Sequence, residues 1–134
     1  MIEINNRVRF AANKNSFSTV AKIILKGENR ETKTLSLAFV SKAEIEKLNS
    51  KFRKKNKPTD VLSFALSDGE YLGEIVICPQ VAKENAKKFK TKAKQEVLKL
   101  FVHGVLHLCG YDHEKEAEAE KMEAKEKKYL SLIQ

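Results

Sequence analysis

The sequence predicts an α+β fold in which a small mixed β-sheet of about four strands packs against about five helices. Two patterns predict this class: short runs rich in β-branched and aromatic residues occur before Pro79, and longer segments with apolar residues at helical spacing lie between and after them. The resulting order is strand, helix, strand, helix, two strands and then helices. The length of 134 residues and the 42% hydrophobic content suit a single domain over residues 1–134 with one core.

The first half of the chain alternates strands with helices. Residues 3–10 and 34–40 are predicted strands, because their apolar and polar residues alternate at least in part. Residues 16–28 are predicted to be helical, since their apolar residues recur every three or four positions. Ser41 is the predicted N-cap of the next helix, and Glu44, three residues later, completes a capping box.

The second half contains a pair of strands followed by helices. Residues 61–66 and 73–78 are short β-rich runs separated by a turn. Pro79 suits the first turn of a helical segment that extends to Leu108, with a break near Thr91. A last helix is expected over residues 114–132, which are acidic at the start and basic near the end, as the helix dipole favours.

Basic residues exceed acidic ones by a wide margin. The chain has 26 Lys and Arg residues against 18 Asp and Glu residues, a net charge of +8. Residues 42–57 and 83–99 each contain seven basic and two acidic side chains. This balance favours a polyanionic partner such as a nucleic acid, although a lysine-rich solvated surface would have the same composition.

Composition also predicts the compartment. No apolar run reaches the length that a membrane span requires, and the N-terminus lacks the basic-then-apolar order of a secretory signal. Cys78 and Cys109 are expected to be free, packed thiols, as in a reducing compartment. We therefore expect a cytoplasmic protein without a membrane partner.

All three histidines fall within the segment FVHGVLHLCGYDH. His103 and His107 are four residues apart, so a helix projects both from one face. Gly110 is a suitable helix end, and the short turn after it can return His113 as a third ligand. Three imidazole nitrogens leave a fourth position of a tetrahedral zinc for water, as in catalytic sites. The spacing predicts one Zn²⁺ per chain, on the C-terminal-half helix and its following loop.

The alternative for a lone histidine is a structural residue with one hydrogen-bond partner. Here the surrounding helix is almost entirely apolar from Val97 to Cys109 and is therefore expected to be buried. Burying two imidazoles without partners would cost about 1–3 kcal/mol each, and a shared metal satisfies both. Cys109 is a less favoured fourth ligand, which would close the site and make the zinc structural.

The spacing H-x-x-x-H-x-x-G-x-x-H is that of the metzincin proteases, but those enzymes need a glutamate directly after the first histidine as general base. Gly104 occupies that position here, so peptide hydrolysis by that route is not expected. A glycine within a helix costs about 1 kcal/mol relative to alanine. Space for substrate or water near the metal is one candidate reason for its presence.

The segments HGVLHLCGYDH, LNSKFRKKNKPTDVLSF and GEIVIC together resemble the bacterial YbeY family of endoribonucleases. The resemblance is continuous from about Leu48 to His113. It implies zinc-dependent cleavage of single-stranded RNA, a role in maturation and quality control of small-subunit (16S) ribosomal RNA, and a cytoplasmic location. Two positions depart from the family pattern: Ala65 stands where proline is common, and Glu74 stands where aspartate is frequent.

The resemblance also implies site residues. The zinc ligands fall on His103, His107 and His113, and the family's functional arginine falls on Arg53. Arg53 and His103 are the predicted catalytic residues, with Arg53 holding phosphate oxygens through its planar donor fork.

No side chain is an obvious general base. Asp112, Glu74, Asp60 and the 2′-hydroxyl of the RNA are open alternatives, and Ser63 is either a cleft residue or a structural one. A competing hypothesis for the whole chain is a non-catalytic RNA-binding ribosome assembly factor with a structural zinc.

Overall fold

A computed structural model describes residues 2–112 and 114–133, apart from the side chain of residue 67. Within this part of the chain the elements are β1 (Ile2–Asn6), α1 (Lys14–Gly27), β2 (Thr34–Phe39), α2 (Lys42–Arg53), β3 (Val61–Asp68), β4 (Tyr71–Ile77), α3 (Pro79–Lys88), α4 (Ala93–Leu108) and α5 (Glu116–Ile133). The predicted α+β class, with about four strands and five helices, is confirmed. Among the described residues, no helix combines the length and the apolar character that crossing a membrane requires.

The four strands form one mixed sheet in the order β1-β2-β4-β3. β1 pairs parallel with β2, and β2 pairs parallel with β4. β3 and β4 form an antiparallel hairpin, which leaves β3 at one edge of the sheet. The larger apolar core lies on the face covered by α1, α4 and α5, and a smaller cluster lies under α2 on the opposite face.

Helix α4 packs directly on the sheet, as its apolar sequence predicts. Val97, Phe101, Val102 and Val105 are fully buried. Gly104 faces Ile75 of β4, and a Cβ atom at position 104 would lie 2.9 Å from Cγ2 of that isoleucine. The glycine therefore permits close helix–sheet contact. The sequence suggests that Gly104 leaves space for substrate or water near a metal. The structure instead places Ile75 against this position.

Strand β1 ends four residues earlier than predicted. The side-chain oxygen of Asn6 accepts hydrogen bonds from the backbone N–H groups of Val8 and Phe10, at 3.3 and 3.1 Å. Its amide group donates to the carbonyl oxygen of Phe10 at 2.7 Å. These bonds replace strand pairing with a local turn, which is how asparagine commonly competes with a β-ladder.

Helix α2 begins as predicted. The hydroxyl of Ser41 accepts a hydrogen bond from the backbone N–H of Glu44 at 3.1 Å, so Ser41 is the N-cap. The carboxylate of Glu44 forms an ion pair with Arg7, 2.6 Å away in the segment after β1. The sequence could predict the cap because its bond is local, whereas the partner of Glu44 comes from a distant part of the chain.

Candidate active site

A cleft of about 800 Å³ opens between the end of α2, the edge strand β3, helix α4 and the loop that follows it. Arg53 lines it from α2, Ser63 from β3, and His103 and His107 from α4. Residues from three separate elements thus meet at the free edge of the sheet. The structure brings the sequence-predicted Arg53 and the histidine pair into one cavity.

The two histidines on α4 converge. Nε2 of His107 lies 3.1 Å from Nε2 of His103, and the ring centroids are 4.6 Å apart. Two nitrogen ligands on a tetrahedral zinc, each about 2.0–2.1 Å from the metal, lie roughly 3.3 Å from each other. The separation of the two nitrogens therefore fits a pair of ligands on one metal ion.

Glu126 of α5 contacts this pair through the second ring nitrogen of His103. Its Oε1 lies 2.7 Å from Nδ1 of His103, and the carboxylate is mostly buried, with 18% of its side chain exposed. A carboxylate on Nδ1 favours the ring tautomer with the proton on that nitrogen, so Nε2 presents its lone pair. Glu126 is therefore placed to orient His103 as a ligand.

The third predicted ligand, His113, lies outside the described residues. Its sequence neighbours Asp112 and Glu114 both line the cleft. The side chain of Asp112 accepts a hydrogen bond from the backbone N–H of Glu114 at 3.0 Å. Within the part of the chain that the structure describes, there is no group of three or more metal-ligating side chains. The pair His103–His107 is the described portion of the predicted set.

Arg53 is the last residue of α2 and is exposed at the rim of the cleft. Its Nη2 donates a hydrogen bond to the backbone carbonyl of Ser63 at 2.8 Å, and its guanidinium lies 5.8 Å from the ring centroid of Phe64. These two contacts with β3 hold the guanidinium beside the sheet edge. The remaining donors of the planar fork suit an anion.

The carboxylates considered as general base lie in two different parts of the structure. Asp60 and Asp112 line the cleft. Glu74 does not belong there: Ile75 packs against α4, and because side chains alternate along a strand, its neighbour Glu74 lies on the opposite face of the sheet. Glu74 is therefore removed from the candidates, and Ser63 is a cleft residue.

Both cysteines are buried, free thiols. Cys109 packs in the larger core and does not belong to the described lining of the cleft. Burial raises the pKa of its thiol to about 11, although the nearby charge of Arg30 opposes the shift. The position of this thiol in the core, outside the described lining of the cleft, gives no support to Cys109 as a fourth ligand.

Of the two basic segments, the first reaches the cleft. Arg53, Lys55 and Lys57 line it, whereas none of residues 83–99 is among the described lining residues. Lys54, the C-cap directly after α2, adopts a left-handed conformation with a φ of 56°, so the chain turns sharply where this positive charge is concentrated. The cleft therefore has a basic rim on the side of α2.

Comparison with known proteins gives the family. The model of the family described as endoribonuclease YbeY matches residues 2–134. The chain belongs to this family. A YbeY endoribonuclease from Finegoldia magna is 41% identical over 143 aligned positions, covering 99% of this chain and 94% of the relative. One from Thermotoga petrophila is 43% identical over 100 residues, covering 74% of this chain and 67% of the relative.

A solved structure agrees with the fold. The solution structure of a Thermotoga maritima protein matches with a TM-score of 0.77 and 35% identity, covering 99% of this chain and 89% of that one. The resemblance inferred from the histidine segment and KPTDVLSF is therefore confirmed. So is the prediction of an enzyme of the endoribonuclease class, through membership of the YbeY family.

A second, partly buried carboxylate lies further from the cleft and contacts elements that surround it. Glu28, directly after α1, accepts hydrogen bonds from the hydroxyl groups of Tyr111 at 2.7 Å and Tyr129 at 2.5 Å. Lys125 lies 3.4 Å away. Tyr111 precedes the cleft residue Asp112, and the other two partners lie on α5. Glu28 therefore ties the loop after α4 to the helix that carries Glu126.

Protonation of this cluster follows from its contacts. Burial alone would raise the pKa of Glu28, but the hydrogen bonds from Tyr129 and Tyr111 and the charge of Lys125 together lower it below its ordinary value of 4.5. Burial, and then the bond to Glu28, raise the pKa of Tyr111 to about 12. At neutral pH the carboxylate is ionised and the phenol keeps its proton.

Sequence reasoning missed Glu126, although a signal was present. Met122 and Tyr129 of α5 are buried, and Glu126 falls between them at helical spacing, on the same face. A carboxylate within the apolar stripe of a helix calls for a buried partner. The identity of that partner, His103, depends on how α5 lies against α4, which local sequence does not specify.

Proposed function

We propose that this chain is a zinc-dependent, single-strand-specific endoribonuclease that acts in the cytoplasm on 16S ribosomal RNA, in maturation and quality control of the small ribosomal subunit. The observation that carries the proposal is the meeting of Arg53 with the His103–His107 pair in one basic-rimmed cleft. The relatives are named endoribonuclease YbeY, which supports RNA as the substrate. The ribosomal role rests on the resemblance described above.

One zinc ion per chain fits the donor set. His103 and His107 present nitrogens 3.1 Å apart, and the Glu126 carboxylate engages the other nitrogen of His103. Carboxylate–histidine pairs of this kind are the usual outer support of zinc sites. His113 is the proposed third ligand on the basis of its spacing, and a site with three nitrogen ligands keeps one position for water or substrate.

When bound, zinc supplies a water of lowered pKa or polarises a phosphate oxygen. Side chains of the protein supply phosphate binding and proton transfer. Arg53, anchored to the carbonyl of Ser63, binds the phosphate and stabilises the negative charge that develops on its oxygens in the transition state. Asp60 and Asp112 are the carboxylates of the cleft wall that are available to take up a proton.

The basic rim accounts for substrate attraction. Arg53, Lys55 and Lys57 line the cleft on one side, and cationic side chains on phosphates make nucleic-acid affinity fall steeply with salt. A peptide substrate has no such continuous charge. The position that bears the general base in metzincin proteases is Gly104 here and faces Ile75, which further disfavours peptide hydrolysis.

The test compares wild type with His107→Ala and Arg53→Ala. Each protein is assayed on a single-stranded fragment of small-subunit ribosomal RNA and on its duplex form, after bound metal has been measured by mass spectrometry. We expect His107→Ala to lose zinc and cleavage together. Arg53→Ala should keep zinc and lose at least about 100-fold in cleavage rate, since it removes a transition-state contact.

The control is Arg9→Ala, because Arg9 is exposed and is not among the described residues of the cleft. It should retain both zinc and cleavage. Equal cleavage by wild type, His107→Ala and Arg53→Ala would contradict the proposal and indicate a contaminating nuclease.

A further inference from the structure

Phe52 is an exposed aromatic residue on α2, the helix that contributes Arg53 to the cleft. It lies one residue before Arg53 at the end of α2, and 54% of it is accessible to solvent. Its ring packs edge-to-face against Phe64 of β3, with centroids 5.2 Å apart and an angle of 65° between the planes. Phe64 in turn packs against the smaller core. Phe52 is thus supported on one side and open on the other.

The surroundings of this ring are strongly cationic. Residues 51–57 contain five basic side chains and no acidic one. The Nζ atom of Lys51 lies 5.2 Å from the centroid of Phe52, and the guanidinium of Arg53 lies 5.8 Å from that of Phe64. An exposed ring bordered by cations suits a ligand that has both a flat apolar face and an anionic backbone.

One other large exposed apolar side chain that the structure describes, Phe89, shares the combination of an aromatic ring and a neighbouring cation. Among the large ones that the structure describes, Phe52 and Phe89 are aromatic, and Leu66 and Leu132 are not. Phe89 also has a lysine near its ring, with Nζ of Lys88 5.7 Å from the centroid. Of these two phenylalanines, only Phe52 adjoins a described residue of the cleft, namely Arg53.

We propose that Phe52 is a stacking platform for one unpaired nucleobase of the RNA strand whose phosphate is bound by Arg53. This inference rests on the proposed function. Every nucleobase has a π face, so a stacking platform tolerates any base sequence. A base inside a duplex already has neighbours on both faces, whereas an unpaired base has a face free. The platform therefore selects single-stranded RNA next to the cleavage site.

The first test uses a reporter that the chain itself permits. The sequence contains no tryptophan, so Phe52→Trp introduces a single indole at the platform. Stopped-flow fluorescence of the intact, metal-loaded protein is recorded with single-stranded RNA, before cleavage. We expect quenching on binding, because the indole stacks on a base. Phe89→Trp is the matched control, and its fluorescence should change little. Equal quenching of both indoles would overturn the proposal.

The second test separates stacking from folding. Phe52→Leu should raise KM for single-stranded RNA about 10-fold, within the range for one lost base stack, with little change in kcat at saturation. Phe52→Tyr keeps the ring and should restore the wild-type KM. Phe89→Leu should leave both constants unchanged. On an RNA that has abasic ribose throughout, wild type and Phe52→Leu should bind equally, since no base remains to stack.

The outcomes also distinguish this inference from the proposed function. If wild type cleaves single-stranded RNA and Phe52→Leu has an unchanged KM, the platform is wrong and the nuclease proposal stands. If purified wild type fails to cleave while the indole at position 52 is still quenched by RNA, the nuclease proposal fails and the stacking platform is upheld.

Discussion

The carboxylate of Glu126 and the imidazole of His103 join the last helix to the cleft. Oε1 of Glu126 lies 2.7 Å from Nδ1 of His103, and Nε2 of the same ring lies 3.1 Å from Nε2 of His107. The imidazole of His103 therefore links a partly buried acid on α5 to His107 on α4. Both the tautomer and the orientation of the ring depend on this contact.

Replacing Glu126 should weaken zinc binding without removing a ligand. For Glu126→Ala we expect the affinity for Zn²⁺ to fall about 10- to 100-fold, as is typical when the outer partner of a ligating histidine is lost. Glu126→Gln should lose less, because its amide oxygen still accepts the bond from Nδ1–H. Competition with a chromophoric chelator measures the affinity. The control is Glu123→Gln, because Glu123 is exposed and pairs with Lys127. Equal zinc affinities for wild type and the three variants would refute the supporting role of Glu126.

Removing the metal should abolish cleavage while most of the fold remains. The contacts of His103 with Glu126, and of Glu28 with Tyr111 and Tyr129, already connect the helices around the cleft without a metal. After chelation, circular dichroism should therefore retain nearly all helical signal, and added Zn²⁺ should restore activity. Unfolding on chelation would instead favour a structural zinc, as in the hypothesis of a non-catalytic assembly factor.

Gly104→Ala should destabilise the protein although alanine is the better helix former. The new Cβ would lie 2.9 Å from Cγ2 of Ile75, and Ile75 is fully buried. Overpacking of a core costs about 1–3 kcal/mol, against a helix-propensity gain of about 1 kcal/mol. We expect a net loss of up to about 2 kcal/mol in the free energy of unfolding, measured by urea denaturation. In an Ile75→Ala background the same change should cost nothing, and an equal cost in both backgrounds would disprove the contact.

The sequence predicts what depends on local spacing. The four-residue interval from His103 to His107 gives their convergence, and the interval from Ser41 to Glu44 gives the cap of α2. Contacts between distant segments leave no local pattern in the sequence. The close contact of Gly104 with Ile75, for example, depends on the position of β4. Likewise Glu74, a candidate base by sequence, lies on the face of the sheet away from α4 because its neighbour Ile75 packs against that helix, and the local sequence does not specify which face α4 covers.

Glu28→Gln should destabilise the protein in a pH-dependent way. The carboxylate accepts bonds from Tyr111 and Tyr129 and faces Lys125, so we expect a loss of about 1–3 kcal/mol near pH 7, as for a buried charged acceptor. Because the pKa of Glu28 in the folded protein lies below its ordinary value of 4.5, this stabilisation is present above pH 4.5 and is lost as the pH falls through the folded pKa. Urea unfolding at several pH values should therefore show wild type and Glu28→Gln converging in acid. Glu31→Gln, at an exposed site in the same loop, should match wild type at every pH, and a pH-independent gap for Glu28→Gln would contradict the ionised cluster.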